Sequence, residues 1–174
     1  MTDADRFEVF VREYQDMVFA TAVRLLANPA EAEDIAQTVF LRAFERFSSI
    51  STSATAAGWL KTVTTNLCLN HLARYRARWQ FFSELERPED DEQYEARVPA
   101  PASADAVEQA ARYEHLERAV QALPDHQRVP VVLFHFEDMT YKEIAAALGI
   151  SVAKVRTDIH RGREALKRVM AGLI

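Results

Sequence analysis

The stretch Thr140–Arg168, TYKEIAAALGISVAKVRTDIHRGREALKR, decides the fold of this chain. Thr140 and Glu143 form a T-x-x-E capping box, in which each side chain satisfies a free backbone donor at a helix start. Ile144, Ala145 and Leu148 then give that helix one apolar stripe, and Gly149 stands where a left-handed residue can end it. Ser151 caps a second helix, on which Val152, Val155, Ile159 and Leu166 recur at helical spacing. Two helices joined by a tight glycine-containing turn make a helix-turn-helix, a unit that lays its second helix in the DNA major groove.

A rotation of roughly 100° per residue turns Ala153, Lys154, Thr157, His160 and Arg161 away from that buried stripe. Arg156 and Asp158 fall on its two flanks, where Asp158 can either accept from a cytosine amino group or pair within the helix with Lys154 (i−4) or Arg161 (i+3). Between Ser151 and Arg168 there are six cations against two acids, the balance that phosphate neutralisation requires. An αα-hairpin with a solvated basic face has the same pattern, so the stretch alone leaves both open.

Outward from the motif, Pro124-Asp125 starts the helix DHQRVPVVLFHFED, whose Pro130 removes one helical hydrogen bond. Before it, Ala106–Leu123 carries Val107, Ala110, Ala111, Leu116, Ala119 and Val120 on a further helix. Residues 81–105 break the pattern: the segment is acidic, then proline-containing and small, and reads as a flexible linker. Trp59–Trp79 forms another strong helix, with Leu60, Val63, Leu67 and Leu72 facing inward. Lys61, Thr62, Thr65, Asn66, Asn70, Arg74, Tyr75, Arg76, Arg78 and Trp79 form its polar, basic and aromatic surface. Rings beside cations suit single-stranded nucleic acid, although a helix end also favours cations through its dipole.

Ser48–Ala57 is a loop of small polar residues. The helix before it opens at Asn28-Pro29-Ala30-Glu31, with a cap, a first-turn proline and an acid at the positive helix end. Its continuation, AEAEDIAQTVFLRAFERF, is apolar on more than one face: Ile35, Val39, Ala43 and Phe47 on one, Phe40 and Phe44 on another. Such a helix must bury two faces, inside its domain or against a partner. Residues 5–27 form the first helix, with Phe7, Phe10, Val11, Tyr14, Val18, Ala22 and Leu25 on one stripe.

The composition fits this reading. The chain has 174 residues, 49% of them apolar, with only four glycines and almost no strand-like alternation, which indicates an all-α protein. The net charge of −5 conceals its distribution. Residues 59–79 carry four cations and no acid, whereas residues 80–105 carry eight acids and two bases. Two basic patches therefore lie in an acidic background. The lone Cys68 excludes an internal disulfide and a cysteine-based metal cluster. The histidines lack ligand spacing and no phosphate-binding glycine loop exists, so no metal or cofactor is expected. No apolar run is long enough to span a membrane and the first residues are acidic, so a cytoplasmic location without membrane insertion is expected.

Three stretches, in order, resemble a bacterial extracytoplasmic-function (ECF, group IV) sigma factor of RNA polymerase. EAEDIAQTVFLRAFERF is similar to the core-polymerase-binding helix, and GWLKTVTTNLCLNHLARYRAR to the promoter-melting, −10-reading helix. LPDHQRVPVVLFHFEDMTYKEIAAALGISVAKVRTDIHRGREAL resembles the −35-reading domain. The resemblance covers nearly everything outside the linker. It implies a sigma region 2-like domain at residues 1–80, the linker at 81–105 and a sigma region 4-like domain at 106–174.

The implied sites follow residue by residue. Asp34, Gln37, Thr38, Phe40, Leu41 and Arg42 fall where the family docks on the clamp helices of the polymerase β′ subunit. Lys61, Asn66, Asn70, Arg74, Arg76 and Arg78 lie along the path of the unpaired −10 strand. Lys154, Arg156, Thr157, Asp158, His160, Arg161 and Arg163 fall on the helix facing the −35 duplex. Thr38 stands where an acid is usual, Lys154 where a small residue is, and Asp158 where an arginine is frequent. The implied partners are core RNA polymerase (β′ clamp helices and β flap), promoter DNA and an anti-sigma factor, and no catalytic residue is implied. A stand-alone helix-turn-helix regulator explains residues 140–168 equally well but leaves 34–45 and 59–79 unused.

Overall fold

A computed structural model of the chain describes residues 1–75 and 105–172, and these divide between two compact units, Met1–Arg74 and Tyr75–Ile174. The described residues are helical, with no strand among them. The expected linker lies almost wholly outside them.

The first unit holds α1 (Asp3–Leu26), α2 (Pro29–Glu45), the single turn α3 (Phe47–Ile50) and α4 (Ala56–His71), which tightens into a 3-10 turn at Leu72–Tyr75. Helix α1 starts two residues before the expected Asp5, because Thr2 and Asp5 form a capping box. The Asp5 carboxyl is held below its ordinary pKa by hydrogen bonds from the Thr2 hydroxyl and backbone N–H. Asn28 caps α2 through its side-chain oxygen, 3.1 and 3.2 Å from the N–H groups of Ala30 and Glu31. Part of the expected loop at 48–57 is helical instead. Arg46 leaves helical geometry at φ −114°, and the chain then makes α3. That turn places the Phe47 ring edge-on to Phe7 and Phe10, at 5.3 and 5.5 Å. The core lies among α1, α2 and α4, where Val18, Val39, Ala43 and Leu60 are buried.

The second unit holds α5 (Ala106–Ala122), α6 (Asp125–His135), α7 (Tyr141–Leu148) and α8 (Val152–Ala171). Helix α6 runs through Pro130, which is itself buried. Helix α8 is the hub, in contact with α5, α6 and α7. Its Gly162 lets α6 come close: a Cβ there would sit 2.6 Å from Val131 Cγ2 and 3.5 Å from the Gln127 carbonyl oxygen. Val129, Val131, Val132, Leu133, Ile144, Leu148, Val155 and Ile159 make up the core. The first turns of α5 are exposed on every side, including Val107, so its expected apolar stripe is buried only towards Ala119 and Val120.

Candidate functional site

The helix-turn-helix forms as its residues dictate. The Thr140 hydroxyl accepts from the Glu143 N–H at 3.2 Å, and the Glu143 carboxylate accepts from the Thr140 N–H at 3.3 Å. Gly149 adopts φ 67°, ψ 36°, which a side chain would oppose, and the Ile150 N–H returns to the Ala145 carbonyl at 3.1 Å. Ser151 then caps α8 by accepting from the Lys154 N–H at 3.1 Å. Of the residues expected to meet DNA, Arg156 is exposed, and Thr157, His160 and Arg161 are partly so. These four lie on one side of α8, opposite Val155 and Ile159.

Lys154 and Arg163 require a correction, because both are buried; Asp158 is buried too, in the intrahelical pair with Lys154 that its spacing allows. The Lys154 ammonium lies 3.0 and 2.8 Å from the two oxygens of Asp158, with the side chains only 6% and 1% exposed. At i,i+4 spacing the two charges neutralise each other along the flank of the helix, which permits their burial. Arg163 bends the other way. Its Nε donates to His135 Nε2 at 2.9 Å, and its guanidinium sits 5.5 Å from the centre of the Phe134 ring. A donated hydrogen bond at Nε2 requires that nitrogen of His135 to be unprotonated. The basic character counted along α8 is thus partly internal.

On α4, Asn66 and Asn70 are exposed one turn apart, in line with the exposed Thr62. Their amides offer donors and acceptors together, as reading the edge of an unpaired base requires. Lys61 is partly exposed beside them. Thr65, expected on this surface, is instead buried beside Thr64, whose hydroxyl donates to the Leu60 carbonyl at 2.6 Å. Arg76, Arg78 and Trp79 lie outside the described residues, as do the side chains of Arg74 and Tyr75.

On α2, Asp34, Gln37, Leu41 and Arg42 are exposed, with Thr38 and Phe40 partly so. The Thr38 hydroxyl donates to the Asp34 carbonyl at 3.0 Å. Leu41 is 67% exposed and Phe44 58%, so two large apolar side chains about one turn apart face solvent on α2. Phe44 leans edge-on against Phe7 at 5.0 Å. Between α1 and α2 runs an open groove of about 860 Å³, with Phe7, Val11, Phe19, Phe40 and Leu41 in its walls and Gln15, Asp16, Glu33 and Gln37 among its polar lining residues.

Residues 10–78 match the family model for sigma-70 region 2, and residues 113–166 match that for sigma-70 region 4. The chain is 31% identical over 172 residues to the ECF RNA polymerase sigma factor SigW of Bacillus subtilis, covering 98% of this chain and 92% of that protein. The chain belongs to the ECF sigma factors. It is also 32% identical over 167 residues to the RNA polymerase sigma-E factor of Streptomyces coelicolor, covering 96% of this chain and 87% of that one. In fold it resembles the sigma factor RpoE of Bartonella quintana, solved in complex with the anti-sigma factor NepR. That likeness has a TM-score of 0.50 at 19% identity, over 95% of this chain and 96% of that one.

In this ECF sigma factor the region 2 match takes in most of α1 and all of α2 to α4, and the region 4 match runs from within α5 into α8. The surfaces on α2, α4 and α8 each bring several expected residues to one face. Two contributions escaped the sequence reading. The α1 wall of the groove was hidden because Phe7 and Val11 fit a core stripe and Phe19 lies off it. Tyr141 was hidden because it resembles an ordinary first-turn residue, yet the Arg156 guanidinium lies 5.9 Å from its ring centre.

Proposed function

We propose that this ECF sigma factor binds core RNA polymerase through α2 and reads the −10 and −35 elements through α4 and α8, and so directs promoter-specific initiation. The observation that carries this reading is the occurrence of region 2 and region 4 in one chain, with exposed polar or basic residues on the corresponding helix of each. Asp34, Gln37, Phe40, Leu41 and Arg42 form the polymerase-facing surface, with Thr38 at its edge. Leu41 and Phe40 supply the apolar anchors and the charged residues around them the polar rim.

Asn66 and Asn70 read unpaired −10 bases, and Lys61 with Arg74, Arg76 and Arg78 neutralises the strand. Arg156, Thr157, His160 and Arg161 face the −35 duplex. Residues 1–80 and 106–174 serve as the two reading modules and residues 81–105 as the tether between them. The protein acts in the cytoplasm by positioning polymerase and DNA, and catalyses no reaction itself. An anti-sigma factor that covers the α2 surface or the α8 face would hold it inactive.

Transcription and core binding measured on the same variants test this division. Leu41→Ala is expected to weaken the polymerase complex and leave helicity intact. Asn66→Ala is expected to bind core normally and lose preference at one −10 base. Normal core binding by Leu41→Ala together with Phe40→Ala, or unchanged −10 preference in Asn66→Ala, would contradict the assignment of that surface.

A further inference from the structure

Arg156 is exposed, and its head group has a ring beside it. The guanidinium lies over the Tyr141 ring at 5.9 Å, and Tyr141 in turn packs on Phe134, with ring centres 4.8 Å apart and planes inclined by 32°. Phe134 is also contacted by the buried guanidinium of Arg163, 5.5 Å from the ring centre and hydrogen-bonded through Nε to His135. Two cations are thus linked through two rings by successive contacts. These contacts join two positions on α8 through the first residue of α7 and the end of α6.

We infer that Tyr141 is a positioning residue for −35 recognition: its ring holds the Arg156 guanidinium in the orientation from which it meets DNA. The inference rests on the reading of α8 as the −35 helix and adds a residue to it. An arginine recognises a guanine edge or a phosphate through a planar fork, so the orientation of the plane decides whether one or two hydrogen bonds form. Left to itself, the long side chain samples many rotamers and must be ordered on binding. The electron-rich face of Tyr141 favours one of these in advance. Phe134 packs on that ring, and the buried Arg163 in turn contacts Phe134. Tyr141 need not touch DNA to act in this way.

The test uses the full chain assembled with core polymerase on promoter duplexes. It compares Tyr141→Phe, Tyr141→Leu, Arg156→Ala and the Tyr141→Leu/Arg156→Ala pair, with Arg161→Ala as a control for α8. Tyr141→Phe keeps the ring and is expected to bind like the parent. Tyr141→Leu is expected to bind about 3–5-fold more weakly, the factor that an exposed cation–π contact supplies. It should also broaden base preference at the position that Arg156→Ala broadens. The pair should be no weaker than Arg156→Ala alone, since a ring with nothing to orient contributes nothing. Should Tyr141→Leu melt early, Tyr141→Met replaces it with the same expectation. Losses that multiply in the pair, a Tyr141→Phe protein as weak as Tyr141→Leu, or a Tyr141→Leu protein with parental affinity would each overturn the inference. If neither Arg156→Ala nor Arg161→Ala alters −35 preference, the assignment of α8 falls, and the role of Tyr141 with it.

Discussion

Helices α4 and α8 both bury polar side chains, but of different kinds and with different consequences. On α4 the buried groups include the hydroxyls of Thr64 and Thr65, and Thr64 satisfies its own by donating to the Leu60 carbonyl one turn back. No second side chain is drawn in, and Asn66 and Asn70 remain outside. On α8 the buried groups are charges, and a charge commits a partner. Lys154 takes Asp158, and Arg163 takes His135 and the face of Phe134. Four positions expected to read DNA stay accessible on α8, and three of its charged residues become part of the scaffold. Counting charges along a helix therefore overstates its DNA-facing surface wherever i,i+4 partners can neutralise each other.

The largest effect that separates the two helices is expected at Asp158. Asp158→Ala leaves the Lys154 ammonium buried without its carboxylate and should cost about 3–5 kcal/mol of stability in thermal or urea unfolding. Replacing both residues by apolar ones, as in Lys154→Met/Asp158→Leu, should restore most of that loss. A small change on Asp158→Ala would mean that the pair contributes no more than a surface contact.

Arg161→Ala should do the reverse, weakening −35 discrimination by about 1–3 kcal/mol in sequence selection while leaving the domain folded. If Arg161→Ala unfolded the domain, the division of α8 into a scaffold side and a reading side would fail. Gly162→Ala tests the crossing that supports both sides. The added Cβ meets Val131 at 2.6 Å. Overpacking of roughly 1–3 kcal/mol is offset by about 1 kcal/mol of helix propensity. Net destabilisation, relieved by Val131→Ala, is the expected outcome of unfolding measurements. Thr64→Val should change stability least, by under about 1 kcal/mol, because its hydroxyl serves no other side chain. A loss as large as that of Asp158→Ala would erase the distinction between the helices.

Much of the fold was legible because local signals agreed with tertiary need. The Thr140/Glu143 box, Gly149, Ser151 and the Asn28-Pro29 start all act as their residue types require. The first start was missed by two residues because the Thr2–Asp5 box precedes any apolar periodicity, and α3 because its cause is distant: Phe47 packs on α1. The polar faces of α2 and α4 were largely readable, since Asp34 and Gln37 on the one and Asn66 and Asn70 on the other stay at the surface. The face of α8 was less so: the i,i+4 spacing offers a Lys154–Asp158 pair, but a helical wheel does not show that both side chains are buried with it or that Arg163 turns to His135. Tyr141 could have been found only by asking which ring stands near the cations of the next helix.

The most direct test of the function is transcription from a promoter library by purified core polymerase with and without this protein. Initiation at a defined subset of promoters sharing −35 and −10 elements, only when the protein is present, is the predicted result. With Leu41→Ala initiation should fall at all of them together, and with Asn66→Ala the −10 preference should relax. A protein that binds DNA through α8 but supports no initiation with core polymerase would contradict the account.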